Sequence, residues 1–381
     1  MLNAGNYLGA VADLFYQARL AFYMGQIDSA ESLCQQWKKK FAEIASSSDV
    51  VESRSAPEIP AARGLDVVQS IILLERDQRD EAEHLLVKTL ELLGWGSWME
   101  LHGFVELAQL YNLRGNEAGV LDILQRMRRL GPQHVACAEA LEILSDLKKS
   151  SVPPQVRSKA EAWTKRYSPN PSFPFALGIG PYHRDAEYFC NLFWAQVQIA
   201  LGHFEQASTF IEPALQIARD CGLLFRVAEL SIAHALIQAG QGNSAAALNE
   251  LGKALEISET CGYIHFFDDS PELDKLLHQA AERKIHAPYA RRLLDSFQST
   301  RAARKIAGAI QKAKTGLVDP LSEREVEVLR LLADGSPPAE VAKKLYLSPF
   351  TLKAHTQNIY SKLGVHSRIE AINKAREMEL L

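Results

Sequence analysis

The chain has 381 residues, is 47% hydrophobic and 23% charged, and carries a net charge of −4. That length suits roughly two or three domains and the composition is that of an ordinary folded protein, which excludes a single small module, wholesale disorder and fibrous repeats. The charge is unevenly distributed: residues 1–282 sum to −12 and residues 283–381 to +8, so a polyanion is expected to meet the C-terminal end. No apolar run approaches the roughly 18 residues needed to span a bilayer, and Met1 is followed by no signal-type stretch. Cys34, Cys137, Cys190, Cys221 and Cys261 are odd in number, scattered and without a CxxC pair. They argue against a disulfide framework, a zinc finger or a thiol redox motif and read as reduced core residues of a cytoplasmic protein.

From the N-terminus the chain repeats itself weakly. Aligning Gly25, Asp77, Gly115, Gly202 and Gly240 places a small or aliphatic residue five positions on, at Ala30, Ala82, Val120, Ala207 and Ala245. Eight positions on come Leu33, Leu85, Ile123, Phe210 and Leu248. The anchors are spaced by 52, 38, 87 and 38 residues; a Ser- and Pro-containing stretch from Ser46 to Pro60 reads as an exposed loop that explains the first interval, and the 87 leaves room for a degenerate unit. Each anchor supplies a left-handed helix cap, a short turn follows, and the small residue lets the next helix approach closely. One hairpin cannot cover its own apolar face, so stacked hairpins forming an α-solenoid are predicted.

Ser168 to Arg184 breaks the helical pattern with four prolines and two glycines and reads as a loop. Phe173, Phe175, Tyr182 and His183, with Tyr188 and Trp194 behind them, are candidate residues for an apolar effector or a partner peptide, weighed against ordinary core packing. "GWGSW" at 94–98 invites the same comparison. The hairpin pattern over roughly 10–280, and the closing phrase "CGYIHFFDDSPELDKLL" at 261–277, resemble the tetratricopeptide-like sensor region of large MalT-type bacterial regulators. Asp268, Asp269 and Glu272 within that phrase read as the acidic start of a helix.

Arg283 to Lys314 holds nine basic residues against the single acid Asp295 and reads as a basic helical linker over 283–316. From Leu317 four short helices are placed by their caps. Ser322 with Glu325 forms a capping box opening a helix that stops at Gly335. Ser336 caps a second helix with Pro337 at its first position. Ser348 caps a third helix that begins at Pro349 and ends at Gly364. Ser367 with Glu370 opens a fourth, running to about Glu379. Helix, short helix, turn, helix is the helix-turn-helix plan. In the third helix Leu352, His355, Ile359 and Leu363 share the inward face, while Phe350, Lys353, Ala354, Gln357 and Ser361 share the opposite one, which suits entry into a major groove.

These residues resemble the LuxR-type helix-turn-helix over 317–381: "LSEREVEVLRLLADG", "EVAKKLYLS", "SPFTLKAHTQNIYSKLGVHSR" and "EAINKA". The resemblance implies that Lys353 and Ala354 face base edges, with Gln357 a turn further on, and that Thr351, Asn358 and Lys362 lie near the sugar-phosphate backbone. Ser348 and Phe350 complete the candidate DNA-binding set. It also implies that the last helix pairs two DNA-binding domains into a homodimer. Phe350 stands where the family usually has a polar or basic residue, Ser336-Pro337-Pro338 replaces a more usual Leu-Ser-Asn, and Gln357 stands where some members carry Lys.

The expected fold is all-α: an α-solenoid of tetratricopeptide-like hairpins over 1–282, the linker, and a small four-helix domain over 317–381. MalT-type regulators carry an ATPase domain before the superhelix, but no Gly-rich loop ending in Lys-Ser/Thr occurs here. Either the nucleotide switch is absent or the chain is the C-terminal part of something longer, so no cofactor is expected. His183, His203, His234, His265, His278, His286 and His355 show no metal-ligand spacing, and no nucleophile and base stand at a recognisable distance, so an enzyme is not expected. The reading is a transcriptional regulator that binds double-stranded DNA, responds to a small-molecule or protein effector, and has RNA polymerase as a candidate partner. The alternative is an interaction scaffold whose C-terminal domain serves dimerisation or protein binding.

Overall fold

The computed structural model describes residues 4–45, 60–92, 98–148, 152–169, 184–265, 267, 270–315, 321, 323–345, 347, 349–378 and 380–381. Among them there are eighteen α-helices and no strand. The first twelve form six successive hairpins: α1 Ala4–Tyr23 and α2 Ile27–Ala45, α3 Pro60–Glu75 and α4 Arg79–Leu92, α5 Trp98–Arg114 and α6 Glu117–Met127, α7 Pro132–Leu147 and α8 Pro154–Arg166, α9 Arg184–Leu201 and α10 Phe204–Asp220, α11 Leu224–Gly240 and α12 Ser244–Cys261. Then come α13 Pro271–Glu282 and α14 Ala287–Thr315, followed by α15 Glu323–Ala333, α16 Pro338–Lys344, α17 Pro349–Leu363 and α18 Arg368–Glu377. The hairpin α7/α8 fills the long interval between anchors; its turn is built on Pro153 and Pro154 rather than on glycine, which hides it from the anchor pattern. Residues 46–59 of the expected Ser46–Pro60 loop and most of "GWGSW" lie outside the described residues, and Pro60 itself opens α3.

The chain divides into two compact units, one of residues 1–106 and 127–295, the other of residues 107–126 and 296–381. Among the described residues no helix is long and apolar enough to cross a membrane.

Four of the five anchors are left-handed as the repeat requires: Gly25 (φ 82°), Asp77 (φ 61°), Gly115 (φ 69°) and Gly202 (φ 84°). The fifth is displaced. Gly242 (φ 83°), not Gly240, makes that turn, and Gly240 belongs to α11, where an added Cβ would lie 2.0 Å from the Phe204 ring. With the anchor moved, the small buried residue five positions on is Ala247, whereas Ala245 is exposed. The large buried position stands nine residues after the anchor, at Cys34, Leu86, Leu124, Ile211 and Leu251. Five and nine differ by four, one helical turn, so both side chains share a face. Leu33, Leu85 and Phe210, at eight, are only half-buried, because they stand about 100° around the helix from the inner position.

The first unit closes through contacts between its earliest and latest helices. The Phe22 ring packs 4.9 Å from Phe225 and 5.7 Å from Tyr263, and the Tyr263 hydroxyl donates to the Phe22 carbonyl at 2.6 Å. Arg226, 1% exposed, donates to Tyr23 Oη at 2.9 Å and to Glu229 Oε2 at 2.7 Å, and its guanidinium lies 3.9 Å from the Tyr188 ring centroid. Glu75, at the end of α3, accepts from the amides of Ile264 (2.5 Å) and His265 (2.8 Å). The His265 imidazole stands 3.0 Å from Glu106, which also pairs with His102 at 3.2 Å. Buried polar groups survive in a core only when paired, and here the pairing joins helices some two hundred residues apart in the chain.

Candidate nucleic-acid interface

The four helices α15–α18 enclose an apolar centre of Leu321, Val328, Leu329, Leu332, Val341, Leu345, Leu352, Ile359, Leu363, Ala371 and Ala375. Gly335 (φ 85°) and Gly364 (φ 66°) end α15 and α17 in the left-handed conformation read from the sequence. The last cap is also as read: Ser367 Oγ accepts from the Glu370 amide at 3.2 Å, and the Glu370 carboxylate accepts from the His366 amide at 2.9 Å. The His366 amide, with the Ser367 side chain, holds the Glu370 carboxyl below its ordinary range.

One cap differs. The N-cap of α16 is Pro337, with Pro338 at the first helical position; Ser336 is buried and accepts from Lys344 Nζ at 3.3 Å. Glu325 bonds to another helix. It is buried and accepts from Lys362 Nζ at 3.1 Å, tying α15 to α17. Ser322 and Ser348 lie outside the described residues.

Two arginines that a sequence pattern treats as surface charge hold the turns in place. Arg324 donates to the Leu345 carbonyl at the end of α16. Arg368 donates to the carbonyls of Leu332 (2.5 Å) and Ser336 (3.1 Å) across the α15–α16 turn. Helix ends leave carbonyls without intrahelical partners, and a planar guanidinium with several donors satisfies two at once. The angle between α16 and α17 is therefore set by α15, and the path into α16 by α18.

The faces of α17 separate as expected. Leu352, His355, Ile359 and Leu363 are buried, and burial lowers the His355 pKa, so this imidazole is neutral inside the domain at neutral pH. Lys353, Gln357 and Ser361 are exposed, and Asn358 is half-buried. Lys362 is half-buried and holds Glu325. The side chains of Phe350, Thr351 and Ala354 lie outside the described set, although all three residues fall within α17. The described outward surface of the helix thus offers an ammonium and an amide one turn apart, with a hydroxyl a further turn on. An ammonium is the type of group that suits guanine O6/N7, and a side-chain amide the type that suits adenine N6/N7, in a major groove.

Of the candidate effector residues, Phe173, Phe175, Tyr182 and His183 lie outside the described residues. Tyr188 and Trp194 are built into the helix packing: Tyr188 donates to Glu229 Oε2 at 2.6 Å and Trp194 Nε1 to the Thr164 carbonyl at 3.0 Å. A narrow pocket opens elsewhere in the first unit, lined by Phe15, Arg19, Phe22 and Tyr23 of α1, Val67, Val68 and Ile71 of α3, and His102. The sequence reading did not reach it, because its walls are the ordinary core positions of two helices. Among the described residues no cluster of three or more His, Cys, Asp or Glu residues is placed to hold a metal ion.

The family model described as the MalT-like TPR region matches residues 3–283, and that of bacterial regulatory proteins of the luxR family matches residues 319–375. The HTH-type transcriptional regulator MalT of Vibrio cholerae is 24% identical over 355 residues, covering 86% of this chain and 37% of that protein. MalT of Vibrio campbellii is 23% identical with the same coverage. The Fimbriae Z protein of Salmonella typhimurium is 55% identical over 62 residues, 16% of this chain and 30% of that protein. The chain therefore spans little more than a third of the length of the MalT proteins that it matches over most of its own length.

Proposed function

The chain belongs to the family that contains the MalT-like TPR region and carries a LuxR-type helix-turn-helix at its C-terminal end, the architecture of DNA-binding transcriptional regulators; from that premise we propose that it is itself such a regulator, not an enzyme, whose solenoid sets how tightly α17 holds an operator. The observation that carries this reading is the division of α17. Its apolar face is spent on the domain core, and Lys353 and Gln357 stand exposed on a helix whose angle Arg324 and Arg368 fix. A helix held this way presents donors at a set pitch, which is what base reading needs and a general polar surface does not.

Dimerisation supplies the second half-site. Ile369 on α18 is 73% exposed, an apolar side chain on the helix that a second copy would cover. The basic stretch 283–314 adds phosphate contacts that hold position without reading sequence. Sensing belongs to the first unit, where the pocket between α1 and α3 adjoins the Arg226–Tyr23 pair. An effector acts by binding one arrangement of that unit more tightly than the other. RNA polymerase is the partner through which a DNA-bound regulator would act.

The test is selection of genomic fragments with the full chain, then titration of the best fragment against random DNA at two salt concentrations. We expect a preferred site bound about 10³-fold or more tighter than random DNA, with affinity falling steeply between roughly 50 and 200 mM salt. Equal, weak and salt-insensitive binding to every fragment would overturn the proposal.

A further inference from the structure

The five cysteines do not share one environment. Cys34 is buried against the Leu65 carbonyl at 3.8 Å, and burial pushes its thiol up to about 12. Cys261 is half-buried against Gly25, and Cys221 is exposed at the C-cap of α10, which corrects its reading as a core residue. Cys137 and Cys190 differ from all three. They face each other across the contact of α7 with α9, with their sulfurs 3.2 Å apart. Cys137 is fully buried, whereas Cys190 is half-buried and reaches the Gln133 carbonyl at 3.6 Å.

We propose that Cys137 and Cys190 are an oxidisable pair, converted by a peroxide into an intrachain disulfide that fastens α7 to α9. A disulfide needs its sulfurs at about 2.05 Å with a restricted approach of the two β-carbons. Here the sulfurs already face each other across packed helices, so closure asks for a movement of about 1 Å, which side-chain rotation supplies. The difference in exposure sets the order of events. The Cys190 thiolate attacks one peroxide oxygen, breaking the O–O bond and forming a sulfenic acid with release of hydroxide, which becomes water on protonation. The Cys137 sulfur then attacks the Cys190 sulfur, its proton leaves with the departing hydroxyl as a second water, and the S–S bond forms. Two thiols and one peroxide give one disulfide and two waters.

Burial and the neighbouring thiol raise the Cys137 pKa well above its usual value. It is therefore a poor target for peroxide by itself and reacts only as the resolving partner held against Cys190. The bond spans α8 and the whole 168–183 stretch, so it would fix the α7/α8 hairpin to α9 through a covalent tie that the packing alone does not provide. The site is independent of the reading of α17 as a DNA-binding helix.

The test uses the full-length chain, reduced, freed of reductant and treated with hydrogen peroxide. Remaining thiols are blocked with N-ethylmaleimide, and the protein is digested with trypsin without reduction and examined by mass spectrometry. We expect the peptide bearing Cys137 joined to the one bearing Cys190, two hydrogens lighter than the two separate peptides, in a species that dithiothreitol splits. Cys221→Ser should leave it intact and Cys190→Ser should abolish it. Cys190 carried to sulfinic acid while Cys137 stays free to alkylate after unfolding would overturn the proposal, as would Cys190 joined to Cys221 of a second chain. The unsubstituted protein alone decides the matter, so a variant that folds poorly does not obscure it.

Discussion

The two ends of this chain solve the problem of burying polar groups differently. In the C-terminal domain an apolar centre takes most of the interior, and the buried Glu325–Lys362 pair and the two turn-holding arginines act over a few dozen residues of sequence. In the first unit the buried polar groups join the beginning of the chain to its later part: Tyr23 to Arg226, Phe22 to Tyr263, and Glu75 to the amides of Ile264 and His265. The first arrangement makes a small rigid platform. The second makes an assembly whose closure depends on a handful of charged side chains, so a ligand or a change of protonation reaches it more readily than it reaches the platform.

The largest expected effects compare the two buried ion pairs. Arg226→Ala removes the cation that holds Glu229 and the Tyr23 and Tyr188 rings, and should cost about 3–5 kcal/mol, since breaking one side of a buried pair leaves the other charge uncompensated. Lys362→Ala removes the cation opposite Glu325, which is buried completely, and should cost the C-terminal domain a similar amount. Urea unfolding followed by tryptophan emission separates them: among the described residues the tryptophans Trp37, Trp98, Trp163 and Trp194 are in the first unit, so that signal should shift for Arg226→Ala and not for Lys362→Ala. If both variants shift it alike, the two units do not unfold independently.

Next in size is the base contact. Lys353→Ala should weaken binding to the preferred operator by about 1–3 kcal/mol and relax the choice of base there, while the melting of the protein stays unchanged, because Lys353 is exposed. A loss that is the same on random DNA, with the salt slope reduced by about one, would instead mark Lys353 as a phosphate contact.

The smallest effect sharpens the comparison through pH. Burial raises the Glu75 carboxyl from 4.5 to about 7, against the opposing pull of His265 and the two backbone amides. Burial alone would lower His265, but its pairing with Glu106 outweighs this and the net shift is upward. Burial alone would raise Glu106, yet its bonds to His102 and His265 hold it well below the ordinary carboxylate range. A group whose folded pKa is raised contributes stability below its unfolded value and loses it as pH rises through the folded one. Glu75 thus stabilises the first unit below about 4.5 and ceases to do so through about 7, and His265 loses its contribution in the same direction above 6.5. Glu106 acts oppositely, losing its contribution only as pH falls below 4.5. Unfolding free energy of the first unit should therefore decline from about pH 4.5 to beyond 7. Glu75→Gln, which keeps an acceptor for the two amides, should flatten the lower part of that slope. A slope unchanged by this substitution would remove Glu75 from the account.

Much of this was legible in the residues. Gly335, Gly364 and the Ser367–Glu370 cap marked the ends of α15, α17 and α18 because a left-handed turn or an N-cap is a local requirement that a few residue types satisfy. The inward and outward faces of α17 followed from helical period alone. The anchors Gly25, Asp77, Gly115 and Gly202 found most of the hairpins for the same reason. The anchor at Gly240 misplaced its turn by two residues because two glycines lie there, one needed for a positive φ and the other for the close approach of Phe204, and composition does not tell these needs apart. The α7/α8 hairpin went unseen because proline replaces glycine at its turn.

What sequence alone determined about this protein is therefore what the chain settles within a turn or two of helix: the helix ends, the repeated hairpins, and the division of α17 into a face for the core and an exposed polar face. Only the tertiary structure decided which polar residues are partners. Arg226 with Tyr23, Glu75 with the amides after Tyr263, Lys362 with Glu325, and Cys137 beside Cys190 are pairs whose meaning lies in a distance through space. No period or motif encodes that distance, because it is set by the packing of helices whose own sequences say nothing of each other.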